Sequence, residues 1–162
     1  MNPFPLLAAL LLTSCTTANA DAATVLSVGD GDTIAVMDQG QRVKVRLACI
    51  DAPETSQRPA GPAARAALQQ LLPVGSTVTL QAKARDRYGR TVGEVFSGGR
   101  NINQALVSSG AAFVYWQYIA GCDRNTYARL EQQAKAQRLG VWSDPGLLPP
   151  WEYRRCRKTR SC

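Results

Sequence analysis

Five short strand-like segments, one helix-periodic segment between the third and fourth and two more after the fifth predict an α+β fold: a five-stranded barrel of the OB type carrying about three helices. Two observations support this reading. The first three segments follow one another across short turns, as an antiparallel meander does. Most of the segments also alternate apolar and polar residues, so each offers one face to a core. Another α+β sandwich fits the same segments, because periodicity along a strand does not report barrel closure.

The elements follow in order. Val25–Val28 and Thr33–Met37 are joined by Gly29-Asp30-Gly31-Asp32, whose Asp-Gly pair is a turn signal. Gln39-Gly40 marks the next turn, and a strand follows over Arg42–Cys49. Its Val43, Val45 and Leu47 point inward, and Lys44 and Arg46 share the other face. Cys49 falls on the inward side and reads as a buried free thiol. Pro53 forces Ala52 toward extended backbone, so Asp51 and Glu54 occupy a stiff corner beside the Arg46 face. Residues 56–61 read as loop, and Pro62 suits the first turn of a helix carrying Ala64, Ala67, Leu68 and Leu71 on one side. Pro73 and Gly75 end it. Thr77–Lys83 alternates again, with Val78, Leu80 and Ala82 inward. Arg85-Asp86-Arg87-Tyr88-Gly89-Arg90 is a charged turn, and Thr91–Phe96 is the fifth strand. Asn101 or Asn103 caps a short helix ended by Gly110. Ala111–Tyr118 is apolar and aromatic. Asn125–Leu139 is a longer helix with Tyr127, Leu130 and Ala134 on one side. From Ser143 the chain is proline-rich and then basic.

Lys and Arg outnumber Asp and Glu 19 to 12 over 162 residues, a formal charge of +7 that suits a polyanionic partner. The chain has no histidine. Histidine bases, acids and metal ligands are therefore excluded, and with them Ser-His-Asp and Cys-His hydrolases. Residues 1–20 carry no charged side chain, and Leu6–Leu12 is an apolar run too short to span a bilayer. Ala18-Asn19-Ala20 has the small-x-small pattern of a signal peptidase site, which predicts cleavage before Asp21. Leu12-Thr13-Ser14-Cys15 also resembles a bacterial lipobox, which would put a lipid anchor on Cys15. Export is expected by either route, to the periplasm, the medium or the cell envelope. After processing, Cys49, Cys122, Cys156 and Cys162 remain, and Cys122, Cys156 and Cys162 are candidates for a bridge tying down the tail. No Cys-x-x-Cys occurs, which argues against a zinc site.

Three segments end in charge: Asp30 and Asp32; Arg46, Asp51 and Glu54; Asp86, Arg87, Tyr88 and Arg90. Taken singly each has a bland reading as a turn, a loop cap or a solvated hairpin tip. In order they are specific. Asp30-Gly31-Asp32-Thr33, then Val45-Arg46-Leu47 running into Ile50-Asp51-Ala52-Pro53-Glu54, then Asp86-Arg87-Tyr88-Gly89-Arg90 resembles the staphylococcal nuclease (thermonuclease) family. Asn101–Leu106, Gly140-Val141-Trp142 and Pro149-Pro150-Trp151 resemble its later landmarks. The resemblance spans about Val25 to Arg154. It divides the chain into an export segment at 1–20, an OB-type nuclease domain at 21–154 and a basic, cysteine-bearing tail at 155–162.

That resemblance implies a calcium-dependent nuclease acting on DNA and RNA; base stacking on aromatics such as Tyr88 adds an expected preference for single strands with little sequence specificity, and a monomer is expected. Position by position, Asp32, Asp51 and the Ala52 carbonyl match the calcium ligands, and Asp30 and Glu54 match outer groups acting through water. Arg46 and Arg90 match the phosphate-clamping arginines, and Glu54 matches the general base or the residue that orients the attacking water. Arg87 and Tyr88 match residues beside the bound nucleotide. Trp116 and Tyr118 fall near a second aromatic pair. Ala52 stands where threonine is commoner, which matters little if its carbonyl is the ligand. The physical chemistry agrees: guanidinium forks suit an anionic phosphorane-like transition state, and a hard cation suits carboxylate and carbonyl oxygen. Lys44, Lys83, Arg85 and Arg87 would line a phosphate-tracking groove. The competing reading is a non-catalytic OB module that binds nucleic acid or protein.

Overall fold

The computed structural model describes residues 22–160. The expected export segment, with Cys15 and Ala18–Ala20, and the terminal Cys162 lie outside them. Five strands close into a barrel: β1 (Ala22–Val28), β2 (Thr33–Asp38), β3 (Gln41–Leu47), β5 (Thr77–Arg85) and β6 (Thr91–Ser97). The sheet order is β3-β2-β1-β5-β6, and a parallel pairing of β3 with β6 shuts the ring through Arg46 opposite Val92. Closure removes the open edges an isolated meander would expose. The alternation of β3 is as predicted, with Val45 and Leu47 buried and Lys44 exposed.

Short pieces complete the frame. A two-residue strand β4 (Ile50–Asp51) follows the corner and pairs antiparallel with β8 (Phe113–Val114), Asp51 lying opposite Phe113. A further short strand β7 (Arg100–Asn101) pairs with β6 and leads into a helix. Four helices pack around the barrel: α1 (Ala60–Leu71), α2 (Ile102–Ser108), α3 (Arg124–Ala136) and α4 (Pro150–Thr159). Asn101 caps α2 by accepting the N–H of Gln104, and Asp123 caps α3 by accepting that of Thr126. The core between barrel and helices is built from Ile34, Val36, Leu47, Leu68, Leu106 and Tyr127, all essentially inaccessible.

Two expectations are corrected. The strand expected to run to Cys49 stops at Leu47. Cys49 takes a left-handed backbone, φ 65°, which breaks the alternation and turns its side chain out of the strand pattern. It is not a free thiol: it forms a disulfide with Cys122, closing a span of 73 residues. Helix α4 is an addition to the three or so helices expected: Pro150 stands at its first position, where proline suits the first helical turn. Residues 155–159, the start of the segment read as a basic tail, form its second half.

Three close approaches fix the corner. Gly31 lies against the Cβ atoms of Ala52 and of Ala64 on α1, and Gly61, in the first turn of α1, lies against the Glu54 carbonyl. At both glycines a Cβ would collide with these neighbours. On the other side Asn103, fully buried, accepts the Val95 N–H at 3.0 Å and donates to the Ala48 carbonyl at 2.9 Å and the Gly93 carbonyl at 3.2 Å. It joins α2, β6 and the end of β3 in one polar knot. Asn103→Ala takes this partner from the Val95 N–H and the Ala48 carbonyl in the core, while the Gly93 carbonyl keeps the Ala48 N–H, and urea denaturation is expected to show a loss of about 2–4 kcal/mol. A loss below about 0.5 kcal/mol would mean that the knot contributes nothing net.

Candidate active site

The site begins at the β1–β2 turn. Asp30 Oδ1 accepts the Asp32 N–H at 3.1 Å, the local bond that shapes the turn. Asp32 then points inward with 6% of its surface exposed. Its Oδ2 accepts the Ala52 N–H at 2.7 Å and pairs with Arg46 Nη1 at 2.6 Å; its Oδ1 accepts the Thr33 hydroxyl at 3.3 Å. Arg46 reaches this turn because β2–β3 register sets it directly opposite Thr33. Its Nη2 donates to Asp51 Oδ1 at 2.8 Å, so one guanidinium bridges two carboxylates from separate segments. Asp51 is 1% exposed, held by the β4–β8 pairing.

Glu54 sits on the rim of this cluster. Its backbone is fixed by Gln57, which donates its N–H to the Glu54 carbonyl at 2.8 Å and accepts the Glu54 N–H on Oε1 at 2.9 Å. Gln57 Nε2 in turn donates to the Leu148 carbonyl at 2.9 Å, tying the corner to the approach to α4. Across the cleft, Arg90 is held by its own hairpin: its Nε pairs with Asp86 Oδ2 at 2.6 Å. Asp86 Oδ1 accepts the Tyr88 and Arg90 N–H groups, each at 2.9 Å. Arg87 lies over the Tyr88 ring at 4.9 Å, and that ring is 69% exposed.

All of Asp30, Asp32, Arg46, Asp51, Ala52, Glu54, Arg87, Tyr88, Arg90 and Tyr118 line one cleft of about 710 Å³. The three charged sequence motifs therefore meet in one cleft. Arg85 lines it too. Lys44 and Lys83 are not among the lining residues, and Lys83 instead pairs with buried Glu94 at 3.1 Å. Trp116 is also elsewhere, donating Nε1 to Glu131 at 3.1 Å.

Two residues at the cleft escaped sequence reasoning. Tyr115 stacks on Trp151 of α4, centroids 5.2 Å apart, and meets Tyr118 edge-on at 4.7 Å. Arg154 reaches back from α4 to Asp51 and Glu54. Three aromatic residues in the run 115–118 were a visible signal for Tyr115. Arg154 stands in a basic run with nothing local to single it out.

Burial pushes the Asp32 carboxyl up to about 7; Asp30 and Asp51 add to the rise, while Arg46 and the Ala52 N–H oppose it. Burial alone would lower Arg46, but the Asp32, Asp51 and Asp30 carboxylates hold it above the ordinary arginine value. Desolvation of Asp86 is outweighed by hydrogen bonds from Arg90 and the Tyr88 N–H, leaving its carboxyl below the usual range. Burial and the neighbouring Asp51 raise the Tyr115 phenol.

Among the described residues no three His, Cys, Asp or Glu side chains converge as a ready-made cation cage. The donor set nonetheless suits a hard cation. Each carboxylate oxygen has two acceptor sites. Asp32 Oδ1 and Asp51 Oδ2 each receive one hydrogen bond, from Thr33 and Arg154, so each retains one free site. Two buried carboxylates, Asp32 and Asp51, with oxygen donors and no nitrogen, match calcium chemistry.

Comparison with known proteins finds similar chains. The family described as staphylococcal nuclease homologue matches residues 44–144. An uncharacterized endonuclease of Escherichia coli O157:H7 is 43% identical over 134 residues, 80% of this chain and 82% of that protein. A micrococcal nuclease of Shigella flexneri is 42% identical over 143 residues, 83% and 80% of the two chains. An uncharacterized endonuclease of Haemophilus influenzae is 36% identical over 135 residues, 83% and 73%.

The Asp32 environment generates a pH prediction for the metal-free protein. Folded Asp32 keeps its proton up to about 7, whereas the unfolded carboxyl releases it near 3.8. Between those values the folded state binds more protons, so the stability this group contributes is present at low pH and is lost as pH rises toward 7. Asp32→Asn removes the titration. Urea denaturation in chelator should show the difference between the two proteins shifting in favour of the variant by about 2–4 kcal/mol from pH 4 to pH 8. Parallel stability curves would refute the assignment.

Proposed function

The chain belongs to the staphylococcal nuclease homologue family and is a nuclease, and on that basis we propose that it is a calcium-dependent, sequence-nonspecific endonuclease that hydrolyses phosphodiester bonds of DNA and RNA. The observation that supports this most is the bridging of Asp32 and Asp51 by Arg46, with Glu54 on the same rigid corner. Asp32, Asp51 and the Ala52 carbonyl are the residues to hold calcium, with Asp30 acting from outside through water. Calcium bound there would supply positive charge to a phosphate oxygen in the transition state.

The remaining roles belong to the chain's own groups. Arg46 offers its fork to a non-bridging phosphate oxygen, and Arg90, held out by Asp86, meets the phosphate from the opposite wall. Glu54 accepts a proton from, or orients, the attacking water; its partial exposure keeps it accessible to solvent. Tyr88 and Tyr118, 69% and 59% exposed, present ring faces on which bases stack. Arg87 adds a phosphate contact without reading sequence. Stacking on exposed rings requires unpaired bases, which favours single strands over intact duplex.

We also place the protein outside the cytoplasm as a monomer, free or held by a lipid on Cys15. The Cys49–Cys122 disulfide is compatible with an oxidising compartment.

Purified protein should cleave single-stranded DNA and RNA with calcium and lose that activity in chelator. Glu54→Gln, and Arg46→Lys, which keeps a cation against the buried carboxylates without the fork, should each lower kcat by about 10²–10³ with the fold retained by circular dichroism. No cleavage by the unsubstituted protein, together with salt-sensitive binding, would instead make it a binding module.

A further inference from the structure

Helix α4 lies beyond residues 44–144, the stretch matched by the family, yet it forms part of the catalytic cleft. Its docking is specific. Trp151 stacks on Tyr115 and meets Phe113 edge-on at 5.9 Å. The Tyr153 hydroxyl donates to Ser56 Oγ at 3.0 Å, and Arg157 Nη1 donates to the same oxygen at 3.2 Å. These contacts lay the helix along the 51–57 corner and carry the Arg154 guanidinium across it.

Arg154 then spans both acids. Nη2 donates to Asp51 Oδ2 at 2.6 Å, and Nη1 donates to Asp51 Oδ1 at 3.2 Å and to Glu54 Oε1 at 2.8 Å. The fork fits Asp51 in two-point fashion, a geometry that a lysine does not reproduce. Among the described residues no other side chain hydrogen-bonds the Glu54 carboxylate. Asp51 is fixed by its strand and by Arg46. Glu54 is 37% exposed at its side chain, on a flexible stem, with Arg154 as its tether.

We propose that Arg154 is a positioning residue of the nuclease: its guanidinium locks the Glu54 carboxylate at a set distance from Asp51, so that the group acting on water is held in its working orientation before substrate arrives. The proposal rests on the role given to Glu54 above. A carboxylate free to sample several rotamers spends only part of its time in reach of the attacking water, so release lowers turnover more than binding.

The experiment measures kcat and KM on single-stranded DNA with saturating calcium. Arg154→Ala should lower kcat about tenfold or more while KM changes less than about threefold. Arg154→Lys, which keeps the charge without the fork, should recover part of that loss and serves if the alanine variant fails to fold. In a Glu54→Gln background, Arg154→Ala should remove little further, because the positioned group is already disabled. In the metal-free protein, the Glu54 side-chain carboxyl ¹³C signal should move in Arg154→Ala and stay in Arg155→Ala.

Three results would overturn the proposal: unchanged kcat where Glu54→Gln is inactive, a loss that adds fully to that of Glu54→Gln, or a rise in KM at constant kcat. The last would place the arginine on the substrate phosphate instead. If Glu54→Gln keeps full activity, the role of Glu54 itself fails, a result separable from the other three.

Discussion

Two carboxylates lie in the barrel mouth almost out of reach of water, and that arrangement is tolerable only with a cation against them. An ionised carboxylate taken from water costs several kcal/mol unless it is paired and hydrogen-bonded. Arg46 meets that need for Asp32 and Asp51 together, at 2.6 and 2.8 Å. It does so from a barrel strand that is paired on both sides, with β2 and with β6, which leaves its backbone little freedom. The Ala52 N–H supplies a further donor to Asp32. Proton affinity at Asp32 stays high even so, which marks the site as short of positive charge.

The site joins near and distant parts of the chain in different ways. The hairpin supplies Arg90 with its own counter-ion four residues back, so that arm is held by a local contact. The opposite wall is long-range: Arg154 and Asp51 are 103 residues apart in sequence. Between them, the Cys49–Cys122 crosslink and the hydrogen bond from the Tyr115 N–H to the Cys49 carbonyl at 2.9 Å fasten the aromatic segment to the corner. Asp32 thus sits at a barrel turn and Asp51 on the β4–β8 pair, and the arginines that meet them come from the barrel and from α4.

How far this was legible in the sequence depends on the range of each interaction. The meander and the Asp-Gly turn could be read because period-two alternation and turn chemistry are local. The convergence of Asp32, Arg46, Asp51 and Arg90 came from motif order, since no local rule brings four strand ends together. Cys49 misled because alternation was carried two residues beyond Leu47, past the point where a positive φ turns the side chain elsewhere. Helix α4 went unassigned because its residues were read by composition, as proline-rich and then basic, although Pro150 is a good first helical residue. Arg154 and Tyr115 act through partners far away in the chain, and single-residue chemistry does not announce such partners.

Gly61 has no functional group, yet the Glu54 carbonyl rests where its Cβ would be. Gly31 stands in the same relation to Ala52. Any side chain at either place pushes on the segment that carries the acids, so a substitution there should disturb the acids without touching them. A survey of tolerated substitutions would place two silent residues beside the charged ones. An engineer widening the cleft for a bulkier substrate would find these two walls the ones that cannot be moved by thickening the residue behind them.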